Sequence, residues 1–421
     1  MIYKETLRQI VQQQKKDTIL PKDTIPREAI EDIQPWLPDP RILILTGLRR
    51  SGKSTLLKQL IKKNKNICYV NFDDERFLDF QSKDFEQLHE IILELYSSPK
   101  FYFFDEIQNI DKFETFVRRL HDQGKKIIIT GSNASLLSKE FGTRLTGRYK
   151  PFEVFPFSFR EFLLFKKIAP QKDWLYITEK KVQLIQLFDE YMVHGGLPEY
   201  LKTLDKEYLR ILYNNILYRD IITRYNIRRQ KTLKELVNIL MTAIASTITY
   251  NSLKKTLHLS NSITVKEYIS YLCNSYLFFE VQRFDYSIKK QLNAPKKIYV
   301  IDPAFHHIAG STFSMDKGRI LENLVFLELK RQKKEVYYYM KQHECDFIIK
   351  EDTQIRDAIQ VCYALDEGNR NREISGLSEV MDQFHLKNGF ILTKEQEEEL
   401  NIDNKKMHIL PVWKWILKLQ K

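Results

Sequence analysis

Nine consecutive residues, Gly47-Leu48-Arg49-Arg50-Ser51-Gly52-Lys53-Ser54-Thr55, combine two glycines, a lysine and two terminal hydroxyls at a spacing that suits one kind of ligand. Glycine lets a loop wind so that successive backbone N–H groups face inward, and such a concavity binds phosphate oxygens. Apolar residues at Leu56, Leu57, Leu60 and Ile61 mark a helix directly after the loop, and its N-terminus adds positive potential. Gly47, Arg50, Ser51, Gly52 and Thr55 then line the cradle. Lys53 reaches the β- and γ-phosphates, and the Ser54 hydroxyl ligates Mg²⁺. The ligand implied is ATP with Mg²⁺.

A second stretch, FYFFDEIQNI at 101–110, puts two adjacent carboxylates, Asp105 and Glu106, at the end of an apolar run. Burying like charges is costly unless each has a use there. Asp105 supplies the second protein partner for Mg²⁺. Glu106 then orients and activates the attacking water as general base. A third run ends in Thr130-Gly131-Ser132-Asn133, where Ser132 or Asn133 can hydrogen-bond the γ-phosphate or the water.

These side chains need a sheet to hold them. RILILTG (41–47), ICYVNF (67–72), KFYFFDE (100–106) and KKIIITGS (125–132) are short, near-continuous apolar runs separated by helical stretches. That alternation predicts an α/β fold with a parallel sheet covered on both faces. YKPFEVFPF (149–157) adds a fifth strand. Residues 1–40, with five prolines, read as a leader that packs on this sheet, and 160–240 reads as helical apart from HGGLPEY (194–200). Hydrophobic content of 43% and charged content of 29% leave ample core in 421 residues. No run approaches the roughly 20 apolar residues of a membrane span, and MIYKETLRQIVQQQKK has no apolar signal region. Four scattered cysteines without a CxxC pair fit neither a disulfide framework nor a zinc site, and suggest the cytoplasm.

The set GLRRSGKST, FFDEIQ, ITGSN and TGRYKPFEVFPFSFREF resembles an archaeal and bacterial group of AAA+ ATPases. In that group the ATPase is followed by a winged-helix segment and a nuclease-like domain. The resemblance implies a sensor role near Ser132 and Asn133. It also implies a charge-neutralising arginine at Arg148, or at Arg144, acting in trans within a homo-oligomer. The division expected is a leader at 1–40, a P-loop AAA+ core at 41–165, a helical lid at 166–240, a winged helix-turn-helix at 241–312 and a nuclease-like α/β domain at 313–421.

Net charge is +12, and its distribution is uneven. From Arg224 to Val300 there are thirteen Lys and Arg against four Asp and Glu, an excess of nine. Within this segment NSLKKTLHL suits a short helix, and Thr264-Val-Lys-Glu267 reads as a capping box opening the next. Val265, Tyr268, Ile269, Leu272 and Tyr276 make one apolar stripe. LFFEVQRFD and KKIYVID follow as strands, joined by a wing carrying Lys289, Lys290, Lys296 and Lys297. With Lys266 on the helix, the pattern matches a helix in the major groove and a basic wing over phosphates. Duplex or branched DNA is the expected partner.

From 313 the order helix, three strands, helix, strand resembles the PD-(D/E)XK nuclease core. The resemblance puts Glu322, Asp346 and a third-strand (D/E)xK at one sheet edge, binding Mg²⁺ and activating water. Here the third strand reads Gln360-Val361-Cys362. Cysteine is no cation near neutral pH, so the site is expected to be degenerate unless a lysine enters from elsewhere. The function expected is an Mg²⁺-dependent ATPase that acts on DNA and couples hydrolysis to its appended domains. A nucleotide-gated switch without DNA activity and an ATP-controlled nuclease are the alternatives.

Overall fold

The computed structural model describes residues 2–133, 147–169, 171–308 and 316–418. The chain divides into two compact units. The first is Met1–Pro156 with Asn274–Tyr276, and the second is Phe157–Cys273 with Leu277–Lys421.

The first unit is built on five parallel strands: β1 (Ile42–Thr46), β2 (Ile67–Asn71), β3 (Phe101–Asp105), β4 (Lys126–Gly131) and β5 (Tyr149–Glu153). Their order across the sheet is β2-β3-β4-β1-β5. Strand alternation divides the apolar side chains between two cores. Ile42, Ile44, Cys68, Val70, Tyr102, Phe104, Ile127 and Ile129 face one side, which α1 (Lys4–Lys16), α4 (Phe85–Tyr96) and α5 (Phe113–Asp122) cover. Leu43, Leu45, Tyr69, Phe103 and Ile128 face the other, under α2 (Ala29–Ile33) and α3 (Lys53–Lys62). Both faces are dry, which is why the strands read as unbroken apolar runs rather than as alternation. The leader supplies α1, whose Leu7, Ile10 and Val11 join the first core. Its Gln14 amide pairs with the backbone of Asn71 through bonds of 3.0 and 2.9 Å. That contact occupies backbone groups which edge strand β2 would otherwise leave open.

The second unit begins with helices α6 (Phe159–Phe165), α7 (Thr178–His194), α8 (Pro198–Thr203), α9 (Lys206–Asn215) and α10 (Gln230–Thr242). Ser158 and Glu161 form a reciprocal capping box at the start of α6. A three-stranded antiparallel sheet follows, ordered β6 (Thr247–Ile248), β8 (Lys296–Val300), β7 (Phe278–Gln282). With it go α11 (Tyr250–Thr256), α12 (Ser262–Asn274) and α13 (Ile288–Asn293). The apolar stripe Val265, Tyr268, Ile269 and Leu272 is buried. The boundaries differ from the sequence reading. Helix α12 starts two residues before Thr264, and Asn261 Oδ1 accepts from the Ile263 N–H at 2.8 Å. The expected wing loop is instead helix α13 followed directly by β8.

The C-terminal part is a six-stranded mixed sheet, ordered β13 (Glu398–Ile402), β14 (Lys405–Pro411), β12 (Asn388–Thr393), β11 (Gln354–Val361), β10 (Glu344–Glu351), β9 (Glu335–Met340). Strands β9, β10 and β11 are antiparallel, while β12 runs parallel to β11 and to β14. Helix α14 (Lys317–Arg331) is buried from Ile320 through Leu329. Helices α15 (Arg370–Gln383) and α16 (Val412–Leu417) complete the part. Strand β13 had no counterpart in the sequence reading. Among the described residues no helix is long and apolar enough to cross a membrane.

Candidate functional site

Strand order decides what can meet at the sheet edge. Strand β4 lies between β1, which leads into the glycine loop, and β3, which ends in Asp105. All run parallel, so the three C-terminal ends open on one crevice, where open α/β sheets bind ligands. The loop after β1 is tightly constrained. A Cβ on Gly47 would sit 2.2 Å from the Val154 carbonyl oxygen, and one on Gly52 would sit 2.5 Å from an Arg27 guanidinium nitrogen. Gly52 has φ +97°, a left-handed conformation that glycine adopts without strain. Arg50 and Ser54 are exposed, while Ser51 is buried and its Oγ has no hydrogen-bond partner. A buried hydroxyl without a partner, in a loop that needs glycine at 47 and 52, fits an anionic ligand with acceptor oxygens.

Lys53 opens α3 and is almost fully buried. Its ammonium donates to the carbonyl oxygens of Gly47 (3.1 Å) and Leu48 (3.0 Å), and lies 3.7 Å from Glu106 Oε1. Asp105 is 2% exposed. Burial and the neighbouring charge of Glu106 push its carboxyl up, while hydrogen bonds from Thr130 and Ser54 and the charge of Lys53 pull it down. Ser54 and Asp105 both belong to this crevice and are the two side chains that could hold Mg²⁺. The Tyr69 hydroxyl donates to the other Asp105 oxygen at 3.2 Å.

Glu106 breaks the strand with φ +50° and ψ +39°. That left-handed turn ends the alternation, so Asp105 and Glu106 both belong to the crevice. Three participants went unassigned in the sequence. The Thr130 hydroxyl donates to Asp105 Oδ1 and accepts the Glu106 N–H at 2.9 Å, tying both carboxylate residues to β4. The Gln108 amide donates to Glu106 Oε2. Arg27 donates to the Ser51 and Phe155 carbonyl oxygens at 2.8 and 2.6 Å, bracing the loop from the leader. Thr130 was legible as the polar end of an apolar strand. Arg27 carried no signal, because its partner carbonyls are 24 and 128 residues away.

Ser132 and Asn133 are buried just beyond β4. Arg148 lies at the opposite, N-terminal edge of the sheet, where it pairs with Asp122 at 2.6 Å. Strands of five residues span about 16 Å, so Arg148 does not serve the crevice of its own chain. Arg144 lies outside the described residues.

Of the basic residues expected on the wing, Lys289 and Lys290 are exposed on α13, and Lys266 is exposed on α12. Lys296 and Lys297 are not on a loop: both lie in β8 and are buried. Lys296 donates to the carbonyl oxygens of Gln291, Leu292 and Ala294 at 2.6, 3.1 and 2.7 Å, closing the C-terminus of α13. Lys297 reaches Glu344, Asp346 and Glu322 at 2.6, 2.8 and 3.0 Å. Burial alone would lower its ammonium, and the charges of Asp346 and Glu322 more than reverse that. Cys362 falls just past the end of β11, and Gln360 is turned toward Glu373.

Comparison with known sequences gives these sites a family. The chain is 37% identical over 407 residues to the uncharacterized protein MJ1544 of Methanocaldococcus jannaschii, spanning 92% of this chain and 90% of that one. It belongs to the MJ1544 family. An uncharacterized protein of Haemophilus influenzae is 27% identical over 393 residues, covering 89% of this chain and 94% of its own. Residues 39–163 match the AAA domain, residues 185–315 a domain of unknown function (DUF8612), and residues 317–415 another (DUF4143). The glycine loop, Asp105, Glu106 and Thr130 all fall inside the AAA domain, so the crevice belongs to an ATP-hydrolysing class of P-loop domain. Among solved structures, the Walker-type ATPase paby2304 of Pyrococcus abyssi aligns at 16% identity with a TM-score of 0.43, over 68% of this chain and 96% of that one.

Proposed function

We propose that the chain is an Mg²⁺-dependent ATPase whose AAA domain hydrolyses ATP and whose appended parts respond to the nucleotide bound. The observation that carries this reading is the convergence of Lys53, Ser54, Asp105 and Glu106 on one sheet edge, with Thr130 tying the two carboxylate residues together. Loop N–H groups and Lys53 bind and orient the phosphates. Mg²⁺, held by Ser54 and Asp105, would draw charge from them. Glu106 accepts the proton of the attacking water as the γ-phosphoryl group leaves ADP. Gln108 and Lys53 hold Glu106 beside the crevice until the phosphates draw the lysine away from the carbonyl oxygens of Gly47 and Leu48. Arg148, remote from this crevice, is proposed to act on a neighbouring copy.

DNA is the proposed partner of the second unit, through Lys266, Lys289 and Lys290. The burial of Lys296 and Lys297 favours a second reading, a nucleotide-gated switch with no DNA step. Phosphate release, measured with and without duplex and branched DNA at two salt concentrations, separates the two. DNA coupling predicts stimulation that fades with salt as counterions compete for the phosphates. The switch predicts a rate indifferent to DNA. Lys53→Ala should reduce turnover about 100-fold or more in either case, and full turnover in that variant would remove the ATPase reading.

A further inference from the structure

Glu322 on α14, Glu344 and Asp346 on β10 turn carboxylate oxygens toward one point, and the nitrogen of Lys297 occupies it. The ammonium donates to Glu322 Oε1 and Asp346 Oδ1 and pairs with Glu344 Oε1 at 2.6 Å, so three carboxylates share one cation. Two of the carboxylates have further donors. Glu322 Oε1 also accepts the Tyr299 hydroxyl at 2.7 Å, and Asp346 Oδ2 accepts the Val361 N–H at 2.9 Å. Gln360, which stands where the nuclease pattern has an acid, gives its oxygen to the Asp346 N–H and its amide to Glu373. None of its polar atoms is directed at the cation. Among the described residues no group of His, Cys, Asp and Glu is placed to hold a metal. The cluster therefore does not fit the divalent ion that the nuclease resemblance implies.

We infer that Lys297 is an internal cation standing where that ion would sit, so that the cluster is a metal-free clasp between the three-stranded sheet and the six-stranded sheet. Lysine is suited to this. Its ammonium carries charge to the end of a four-carbon stem, which starts from β8 beside Tyr299 and reaches both α14 and β10. A cation fixed to the backbone cannot leave with chelators or compete with solvent, unlike a metal. The nuclease pattern has a lysine two residues after the third-strand acid, where this chain has Cys362. The lysine present arrives 65 residues earlier in the chain, from another sheet, and takes the metal's place rather than the water-activating one.

The test is Mn²⁺ binding to the full chain without nucleotide, by calorimetry and by the EPR signal of free Mn²⁺. Wild type and Asp346→Asn should bind equally, because the cluster takes no ion in either. Lys297→Ala should gain about one Mn²⁺ per chain, since three carboxylates then converge on an open point. The gain should vanish in Lys297→Ala/Asp346→Asn. Lys297→Met retains the aliphatic stem should the alanine variant not fold, and the wild-type comparison decides if neither does. Asp346-dependent Mn²⁺ binding by wild type would overturn the inference. Asp346-dependent Mg²⁺-driven DNA cleavage by wild type would also overturn it, as would a folded Lys297 variant with no gain. None of these readouts involves ATP, so they stand or fall apart from the ATPase reading.

Discussion

The Thr130 hydroxyl is a small group with two roles, donating to Asp105 and accepting from the Glu106 backbone. Removing it leaves Asp105 buried with one fewer stabilising donor and frees the left-handed turn that aims Glu106. Each such hydrogen bond to a charged group contributes about 1.5–3 kcal/mol. Thr130→Val should therefore lower turnover at least about 10-fold, whereas Thr130→Ser, which keeps the hydroxyl, should stay within about 3-fold of wild type. Steady-state phosphate release checks both; equal rates in Val and Ser would show the hydroxyl to be idle. The loop and the two carboxylates were legible in the sequence because their spacing is local and dictated by phosphate chemistry. Gln108 and Arg27 were not, and Thr130 was visible only as a polar strand end, because each matters through a partner that the fold brings near. The wing lysines show the opposite error. Lys296 and Lys297 look like surface charge in a linear reading, and only the register of β8 reveals that three carbonyls meet one and three carboxylates the other.

At the scale of elements, helix α13 is six residues long and depends on what ends it. Lys296 satisfies carbonyls that a helix C-terminus otherwise leaves to water, with a charge that suits the dipole. Lys296→Met should destabilise the protein by about 1–3 kcal/mol in urea unfolding and leave the salt dependence of any DNA affinity unchanged. Lys289→Ala should do the reverse, leaving stability alone and lowering the salt slope by about one; a salt-slope change in Lys296→Met would return that residue to the DNA surface. A second element-scale prediction concerns the corner after α7. Gly195 has φ +66°, and a Cβ there would meet Asp302 Oδ1 at 1.8 Å. Asp302 accepts the Gly196 and Ala304 N–H groups at 2.7 and 2.9 Å. Burial raises its carboxyl to about 7 against those bonds, from an ordinary 3.8. A folded value above the unfolded one gives stability that is complete below about pH 4 and is lost as pH rises through about 7. Asp302→Asn has no such loss, so its stability relative to wild type should climb between pH 4 and 7, by at most about 1.4 kcal/mol per pH unit. A flat difference in urea midpoints over that range would contradict this. Element types were largely readable from apolar period, since dry parallel strands and capped helices leave strong local marks. Helix α13 and strand β13 were missed: IKKQLN looks like a polar loop, and EELNI carries too few apolar residues to mark a strand.

For the whole molecule, the proposed activity is ATP turnover by the AAA domain, with Glu106 as the group that receives the water's proton. Binding and chemistry should separate at that residue, because the proposed nucleotide contacts, Lys53, Ser54 and the loop, do not include it. The most direct measurement is the identity of the nucleotide on the full chain after one equivalent of ATP and Mg²⁺ is added, wild type beside Glu106→Gln. Wild type should carry ADP, or have released it. Glu106→Gln should still carry ATP over the same interval, with hydrolysis slowed about 10²–10⁴-fold. ADP appearing on Glu106→Gln at the wild-type rate would contradict the role given to Glu106, and with it the mechanism proposed for this crevice.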